Sequence, residues 1–319
     1  MKINLANIKK AQKLLIKSEC VAIPTETVYG LAGNAYSDRA CRKIFKLKKR
    51  PKNNPLIVHY YKYQDLKKDC YFDGNFLKLY KKFCPGPITF VLNLKKNSKI
   101  SKFVTNKKKS LAVRFPKHSI TRNLLRQLRF PLAAPSANLS KKVSSVCSSD
   151  VKEDFGKKIK FILEGGKSLI GVESTILDLR KKPKILRLGG LEVSVIQKIL
   201  NQKIKIQNNP SKISAPGQFK LHYSPGIPIR LNVKKVGDKE AYILIRKKEV
   251  TKSNYYFLSK KGDLKEAAKN LYTTLRKIKK NKHKSIAVSK IPNIGLGKTI
   301  NDRLIRASKF LLLLLNLPF

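Results

Sequence analysis

The stretch Lys48-Lys49-Arg50-Pro51-Lys52-Asn53-Asn54-Pro55-Leu56-Ile57-Val58-His59 gathers side chains suited to an anion. Pro51 and Pro55 fix φ and disfavour helix at the residues before them, so the cations sit on a stiff loop feeding a strand-like run. Arg50 can fork two phosphate oxygens, Lys48 adds a point charge, and Asn54 offers donors and an acceptor. This chemistry suits a phosphorylated ligand. The competing reading is a solvated basic loop, and it is retained for Lys49 and Lys52. Arg114 stands in an apolar run, Ser-Leu-Ala-Val-Arg-Phe-Pro. A buried guanidinium wants an anion, either a structural salt-bridge partner or the carboxylate of a ligand. Ser136 and Asn138, in the short polar loop Pro135-Ser136-Ala137-Asn138, could line the same pocket; a plain turn is the alternative there.

Other chemistries find no support. Gly297-Lys298-Thr299 resembles the end of a phosphate-cradling loop, but the position five residues earlier is Pro292, which lacks the backbone N–H a cradle needs. His59, His118, His222 and His283 are far apart in sequence, no Cys/His set has metal-ligand spacing, and no carboxylate pair or nucleophile elbow stands out. An enzyme built from these residues would work mostly by binding and positioning.

The elements that must hold those residues read as follows. A helix starts the chain, with Ile8, Ala11, Leu14 and Leu15 at helical spacing. A strand covers 21–23, and 24–31 forms a turn carrying two threonines, Glu26 and Tyr29. A helix over 38–47 takes Asp38 as its cap. Strands are expected at 56–60, 88–94, 110–115, 131–134, 159–163, 175–179 and 185–188, and helices at 76–83, 119–128 and 193–200. From 201 to 228 periodicity fails, and Pro210, Pro216, Gly217, Pro225, Gly226 and Pro228 punctuate a long segment. Beyond it, strands at 241–245, 255–258 and 285–289 alternate with a helix marked by Leu264, Ala267, Ala268, Leu271, Leu275 and Ile278, and a last helix follows Gly297. That alternation predicts a small parallel α/β domain.

The chain has 319 residues, enough for about two domains, and at 42% hydrophobic it can bury a core. Lys and Arg number 71 against 19 Asp and Glu, a net charge of +52. Such a charge permits RNA contact. The lysines are spread along the whole length rather than focused, so the expectation is weak, unselective RNA binding. A non-catalytic RNA-binding protein is the alternative functional reading. Five cysteines without a Cys-x-x-Cys pair argue against a disulfide framework or zinc site and for a reducing cytosol. No signal peptide is evident at the start, and the apolar tail over 310–319 is too short to span a bilayer, so no membrane partner is expected.

Taken together, these stretches resemble the threonylcarbamoyl-AMP synthase family, the YrdC-like enzymes. The resemblance rests on Ile23 to Leu31 (Ile-Pro-Thr-Glu-Thr-Val-Tyr-Gly-Leu), on Lys48-x-Arg50-Pro51 with Asn54 to His59, and on Pro85-Gly86-Pro87-Ile88-Thr89. It continues through Ala112 to Pro116, Pro135 to Asn138, and Ser174 to Asp178. The family's Lys-Arg-Ser-Asn signature is present as Lys48, Arg50, Ser136 and Asn138. The segment Ser214 to Pro225 is similar to the linker of the longer, two-domain form, and 293–307 to the end of its second domain. Cys84 stands where the family tends to have Trp; Gln218 and Leu221 replace a usual Met and Arg.

The resemblance implies an α/β fold, a YrdC-like twisted mixed sheet with helices plus a smaller C-terminal Rossmann-like α/β domain. The implied division is 1–204 catalytic, 205–228 a Pro/Gly-rich linker acting as a lid, and 229–319 C-terminal. It implies a nucleotidyltransferase that makes threonylcarbamoyl-AMP and pyrophosphate from L-threonine, bicarbonate and ATP, for modification of tRNA by downstream threonylcarbamoyl transferase proteins. Lys48 and Arg50 would be catalytic. Arg50, Asn54, Ser110, Ser136, Asn138, Ser144, Arg187 and Tyr223 would contact ATP. Thr27, His59, Arg114, Ala134 and Ser174 would hold threonine, Ala134 through its backbone. Mg²⁺ is expected with ATP, with no protein ligand for it visible, and the location implied is cytoplasmic. The carbamoyl-adenylate-forming domain of hydrogenase maturation proteins is a nearby rival, but those chains carry Cys-rich zinc modules absent here.

Overall fold

The computed structural model describes residues 4–208, 221–247, 249 and 251–309. Its larger sheet takes strands β1 (Val21–Ile23), β2 (Gly30–Asn34), β3 (Ile57–His59), β4 (Cys70–Tyr71), β5 (Ile88–Leu94), β6 (Ser110–Arg114), β7 (Leu132–Ala133), β8 (Thr175–Asp178), β9 (Lys184–Arg187) and β10 (Lys205–Ile206). Their order is β1-β2-β7-β3-β6-β5-β8-β9-β10, with β4 added beside β5. The sheet is mixed: β3–β6, β5–β8 and β9–β10 pair parallel, and the remaining pairs are antiparallel. Strands β3, β6 and β8 and the first five residues of β5 are wholly buried, which is why they read as continuous apolar runs instead of alternating ones.

Helices α1 (Leu5–Ile16), α2 (Asp38–Lys48), α3 (Tyr63–Leu66), α4 (Gly74–Phe83), α5 (Lys102–Thr105), α6 (Ser119–Gln127), α7 (Ser148–Phe155) and α8 (Val193–Leu200) accompany this sheet. The cap of α2 is Ser37, whose Oγ accepts the Ala40 N–H at 3.2 Å. Asp38, expected as the cap, is instead the first helical residue and accepts from Ser101 Oγ at 2.5 Å. Ser37 has the extended backbone a cap needs, and Asp38 still lies at the positive end of the helix.

Two expected elements change. Residues 159–163 form no strand; Ile162 makes one isolated bridge to Ala22 after a 3₁₀ turn at Gly156–Lys158. Part of the expected 24–31 turn is strand β2, where Gly30 leaves room for Ala134: a Cβ there would meet the Ala134 Cβ at 3.3 Å.

The second sheet takes β11 (Ile229–Arg230), β12 (Ala241–Arg246), β13 (Tyr255–Ser259) and β14 (Ile286–Val288), all parallel, in the order β11-β14-β12-β13. Helix α9 (Leu264–Lys280) buries Ala267, Ala268, Leu271, Leu275 and Ile278, the stripe expected from sequence. Asp263 caps it, accepting from the Glu266 N–H at 2.6 Å. Helix α10 runs Gly295–Ser308, so the false phosphate motif at Gly297 lies inside it.

The two sheets do not have separate cores at their meeting point. Val28, Val143, Val146 and Val172 belong to the same apolar cluster as Ile243, Leu271, Leu275 and Leu304 of the second unit. At Gly171 the α9 backbone comes so near that a Cβ would lie 2.4 Å from the Lys269 carbonyl oxygen. The central part of the linker, including Gln218 and Phe219, lies outside the described residues, as does the 310–319 tail. Among the described residues no helix is long and apolar enough to cross a membrane.

Candidate active site

Register brings the chemistry to one place. The β3–β6 pairing sets His59 beside Arg114, the β5–β6 pairing sets Thr89 on the other side of Arg114, and the β8–β9 pairing sets Ile176 beside Arg187. Ser174 enters β8, and its Oγ lies 2.7 Å from Thr89 Oγ1. Around these strand ends is a pocket whose walls include Arg50, His59, Arg114, Ala134, Ser136, Ser174, Arg187 and Tyr223 of the expected residues. Thr25, Glu173 and His222 line it too.

Three buried arginines converge here, held in different ways. Arg50 donates from Nε to the Asn54 carbonyl at 3.0 Å and from Nη2 to the Pro55 carbonyl at 2.8 Å. Burial, then the positive charge of Arg187, disfavours its charged form. Arg187 donates to the Ser174 carbonyl from Nε at 3.1 Å and from Nη2 at 2.9 Å. Arg114 forms the salt bridge weighed from sequence, Nη2 to Glu26 Oε1 at 2.8 Å. The other Glu26 oxygen accepts the Lys117 N–H at 2.9 Å. Arg114 Nε is buried without a protein partner, so one donor remains beyond the salt bridge.

The Pro51–Pro55 loop carries Arg50 as expected, but Lys48, expected on the same loop, is the last residue of helix α2. Lys49 closes α2 in the left-handed conformation, and the chain turns so that Lys48 points inward. Lys48 Nζ donates to the carbonyls of Ser136 (2.6 Å) and Asn138. Burial, with Arg50 nearby, pushes its pKa well down. Ser136 Oγ donates to Asn138 Oδ1 at 2.5 Å, and Asn138 Nδ2 holds the Leu139 and Lys142 carbonyls. Lys48 and Asn138 thus shape the serine loop from behind and do not line the pocket.

Other expected residues also sit one step back. Asn54 supports Arg50 through its carbonyl, and its Oδ1 has no partner. Thr27 Oγ1 lies 2.9 Å from Thr25 Oγ1, and Thr25 is the wall residue. Ser144 donates to Glu173 at 2.6 Å. Ser110 lines a different crevice, with Pro55, Leu56, Thr105 and Lys108.

His59 is neutral at physiological pH: burial and then Arg114 bring its pKa down to about 3. His222 is likewise held at about 3, by burial against the opposing pull of Glu173. Tyr223 is 1% exposed. Its ring stacks on Tyr272 of α9 (5.7 Å, 20°) and lies under the Arg303 guanidinium of α10 at 4.7 Å. Tyr223 thus packs the linker against the second domain. Yet Tyr223 also lines the pocket, and its hydroxyl is buried with no protein partner.

Glu173 is the residue that sequence reasoning missed. It is a wall carboxylate whose partners Tyr272 and Arg303 stand far along the chain, so no local pattern flags it. Burial would raise its pKa, but Arg303 and Arg187, with Ser144, hold it at about 2.

A family model named Sua5_yciO_yrdC and described as "Telomere recombination" matches residues 13–189, and one described as "Threonylcarbamoyl-AMP synthase, C-terminal domain" matches 191–309. The chain is 34% identical to the threonylcarbamoyl-AMP synthase of Pyrococcus abyssi over 95% of this chain and 94% of that one. It is 34% identical to that of Bacillus subtilis over 96% and 94%. The crystal structure of P. abyssi Sua5 complexed with L-threonine superposes with a TM-score of 0.88 at 32% identity, covering 97% of this chain and 96% of that one. Both sheets, the strand-end pocket and these matches over nearly the whole length lead to one statement: the chain belongs to the threonylcarbamoyl-AMP synthase family.

Proposed function

We propose that this pocket condenses L-threonine, bicarbonate and ATP into threonylcarbamoyl-AMP and pyrophosphate, for threonylcarbamoyladenosine modification of tRNA. The observation that carries the reading is the convergence of Arg50, Arg114 and Arg187 on one buried, hydroxyl-lined pocket. Bicarbonate dehydrates to CO2, releasing water, and the threonine amine adds to the CO2 carbon and loses a proton to give a carbamate. A carbamate oxygen then attacks the α-phosphorus, and the bond to the pyrophosphate oxygen breaks. Two anions must meet, so fixed cations count for more than a proton shuttle.

In this reading Arg114 takes the threonine carboxylate through its unpartnered Nε, with Thr27, His59, Ser174 and the Ala134 backbone around the rest of the amino acid. The relative crystallised with L-threonine supports that substrate. Arg50, Arg187, Ser136 and Tyr223 face the nucleotide, with Asn54 and Asn138 supporting Arg50 and Ser136 and Ser144 holding Glu173; Ser110, in its separate crevice, is kept as an ATP contact on the resemblance alone. Lys48 acts electrostatically from behind the serine loop. We divide the chain as 1–204, 205–228 and 229–319, with His222 and Tyr223 as the part of the linker that covers the pocket. Among the described residues no group of three or more His, Cys, Asp or Glu could hold a metal, and Glu173 is already bonded to Ser144, Tyr272 and Arg303. The wall residues do not fit a protein-held Mg²⁺; an ion entering with ATP would keep phosphate and water ligands. The product would pass to tRNA threonylcarbamoyl transferase proteins in the cytoplasm.

Pyrophosphate release with different amino acids tests the reading. A site that hydrogen-bonds the threonine hydroxyl is left with stranded polar groups when it is missing. Release should therefore require threonine. Equal release with alanine or valine contradicts the proposal.

A further inference from the structure

We propose that the second domain is part of the active site, with Tyr272 and Arg303 acting as positioning residues that fix Glu173 and, through it, Ser144 and Ser174. This inference rests on the function proposed above.

The Glu173 carboxylate is buried in the pocket wall, and its donors come from both domains. Oε1 accepts from Ser144 Oγ at 2.6 Å and from the Tyr272 hydroxyl at 3.1 Å. Oε2 accepts from the same hydroxyl at 3.0 Å and from Arg303 Nε at 2.9 Å. A buried carboxylate is stable only when its acceptor sites are filled, and a missing donor strands charge. The second domain therefore supplies two of the three donor groups that keep this wall in one arrangement.

Helix α10 also grips the strand that ends in Arg187. Arg303 Nη2 donates to the Leu188 carbonyl at 2.7 Å, and Thr299 Oγ1 donates to the Gly189 carbonyl at 3.0 Å. Gly189 in turn lies against the Glu173–Thr175 backbone so closely that a Cβ would meet Ser174 C and Thr175 N at 2.3 Å. Arg187 completes the circuit by holding the Ser174 carbonyl. The Arg303 and Tyr272 side chains also both contact the Tyr223 ring.

Domain cohesion alone does not call for this arrangement. The valines at 28, 143, 146 and 172 already join the two units through a shared apolar core. A charged, fully buried joint placed at a pocket wall costs desolvation that apolar packing avoids. Its position favours a role in ordering the site.

The test is steady-state kinetics of the full chain, run well below each variant's melting temperature. Tyr272→Phe keeps the ring stack and removes only the hydroxyl on Glu173. It should raise the KM for ATP by roughly three- to tenfold, less than the loss of a direct bond to a charged group because Tyr272 acts only through Glu173. The melting temperature should move by no more than about 2 °C. Ser144→Ala should raise the same KM, and the double variant should be no worse than the poorer single one, because both act through one carboxylate. Unchanged kinetics in Tyr272→Phe, whatever its melting temperature, overturns the proposal; so do additive effects in the double variant. An inactive wild-type chain would instead count against the proposed function.

Discussion

At the residue scale, the two arginines that sequence reasoning singled out stand in different company. Arg50 rests on the neutral carbonyls of Asn54 and Pro55, while Arg114 spends one nitrogen on Glu26 and keeps Nε. Their losses should therefore differ. Arg50→Ala should chiefly weaken ATP binding and Arg114→Ala threonine binding, each by roughly ten- to a hundredfold, the scale of a lost charge-assisted bond. Titration calorimetry with each ligand decides the matter; equal loss of both ligands in both folded variants contradicts the assignment. Arg114→Ala also leaves Glu26 buried with only the Lys117 amide, so Arg114→Gln is the gentler companion variant. The residues legible from sequence were those in compact local motifs, such as Arg50 and Ser136. Glu173 was not legible, because its meaning comes from Tyr272 and Arg303 across the domain boundary. Lys48 was legible as a charge, but its burial under two carbonyls was not.

At the element scale, strand ends do the positioning; one of them buries His59, and the linker brings a half-buried His222 to the same pocket. His59 closes β3, and His222 lies beside Tyr223 with ring centres 4.0 Å apart. Both have folded pKa values near about 3, below the ordinary value of 6.5. Below about pH 6.5 the unfolded chain binds protons that the folded chain refuses. Stability should thus be full above about pH 7 and fall as pH drops, by roughly 1.4 kcal/mol per pH unit for each histidine. Urea unfolding between about pH 6 and 5 measures this, and a flat profile there contradicts their burial in the neutral state.

Apolar runs made β3, β5, β6 and β8 readable, since both faces are covered. Helix α7 was missed because its sequence is mostly polar and only Val151 and Phe155 carry its apolar contact. Strand β2 was hidden at its start by Gly30, read as a turn residue; its two glycines serve close approach to Ala134, Ala40 and Ile44. Residues 159–163 have strand-like composition but pair with β1 only at Ile162, so composition alone misled there.

At the scale of the whole molecule, the two-domain organisation was legible from the break in periodicity after residue 200 and from the βα alternation beyond it. The shared core at Val172 and Leu271 was not, because no sequence pattern says which surface valines meet another domain. The net charge of +52 also reads differently once folded. Most of the lysines are exposed and spread over the surface, whereas the charges that define the pocket include three buried arginines, two at strand ends and Arg50 on the loop after α2. The bulk of the charge is thus separate from the charges that make the pocket.

The central claim is that one pocket joins three substrates, and the most direct measurement follows the carbon of bicarbonate. Purified full-length protein is incubated with radiolabelled bicarbonate, L-threonine and ATP, and the products are separated. The account predicts a labelled adenylate that forms only when all three substrates are present, together with an equal amount of pyrophosphate. Pyrophosphate formed without incorporation of label, or a labelled adenylate formed without threonine, would contradict it.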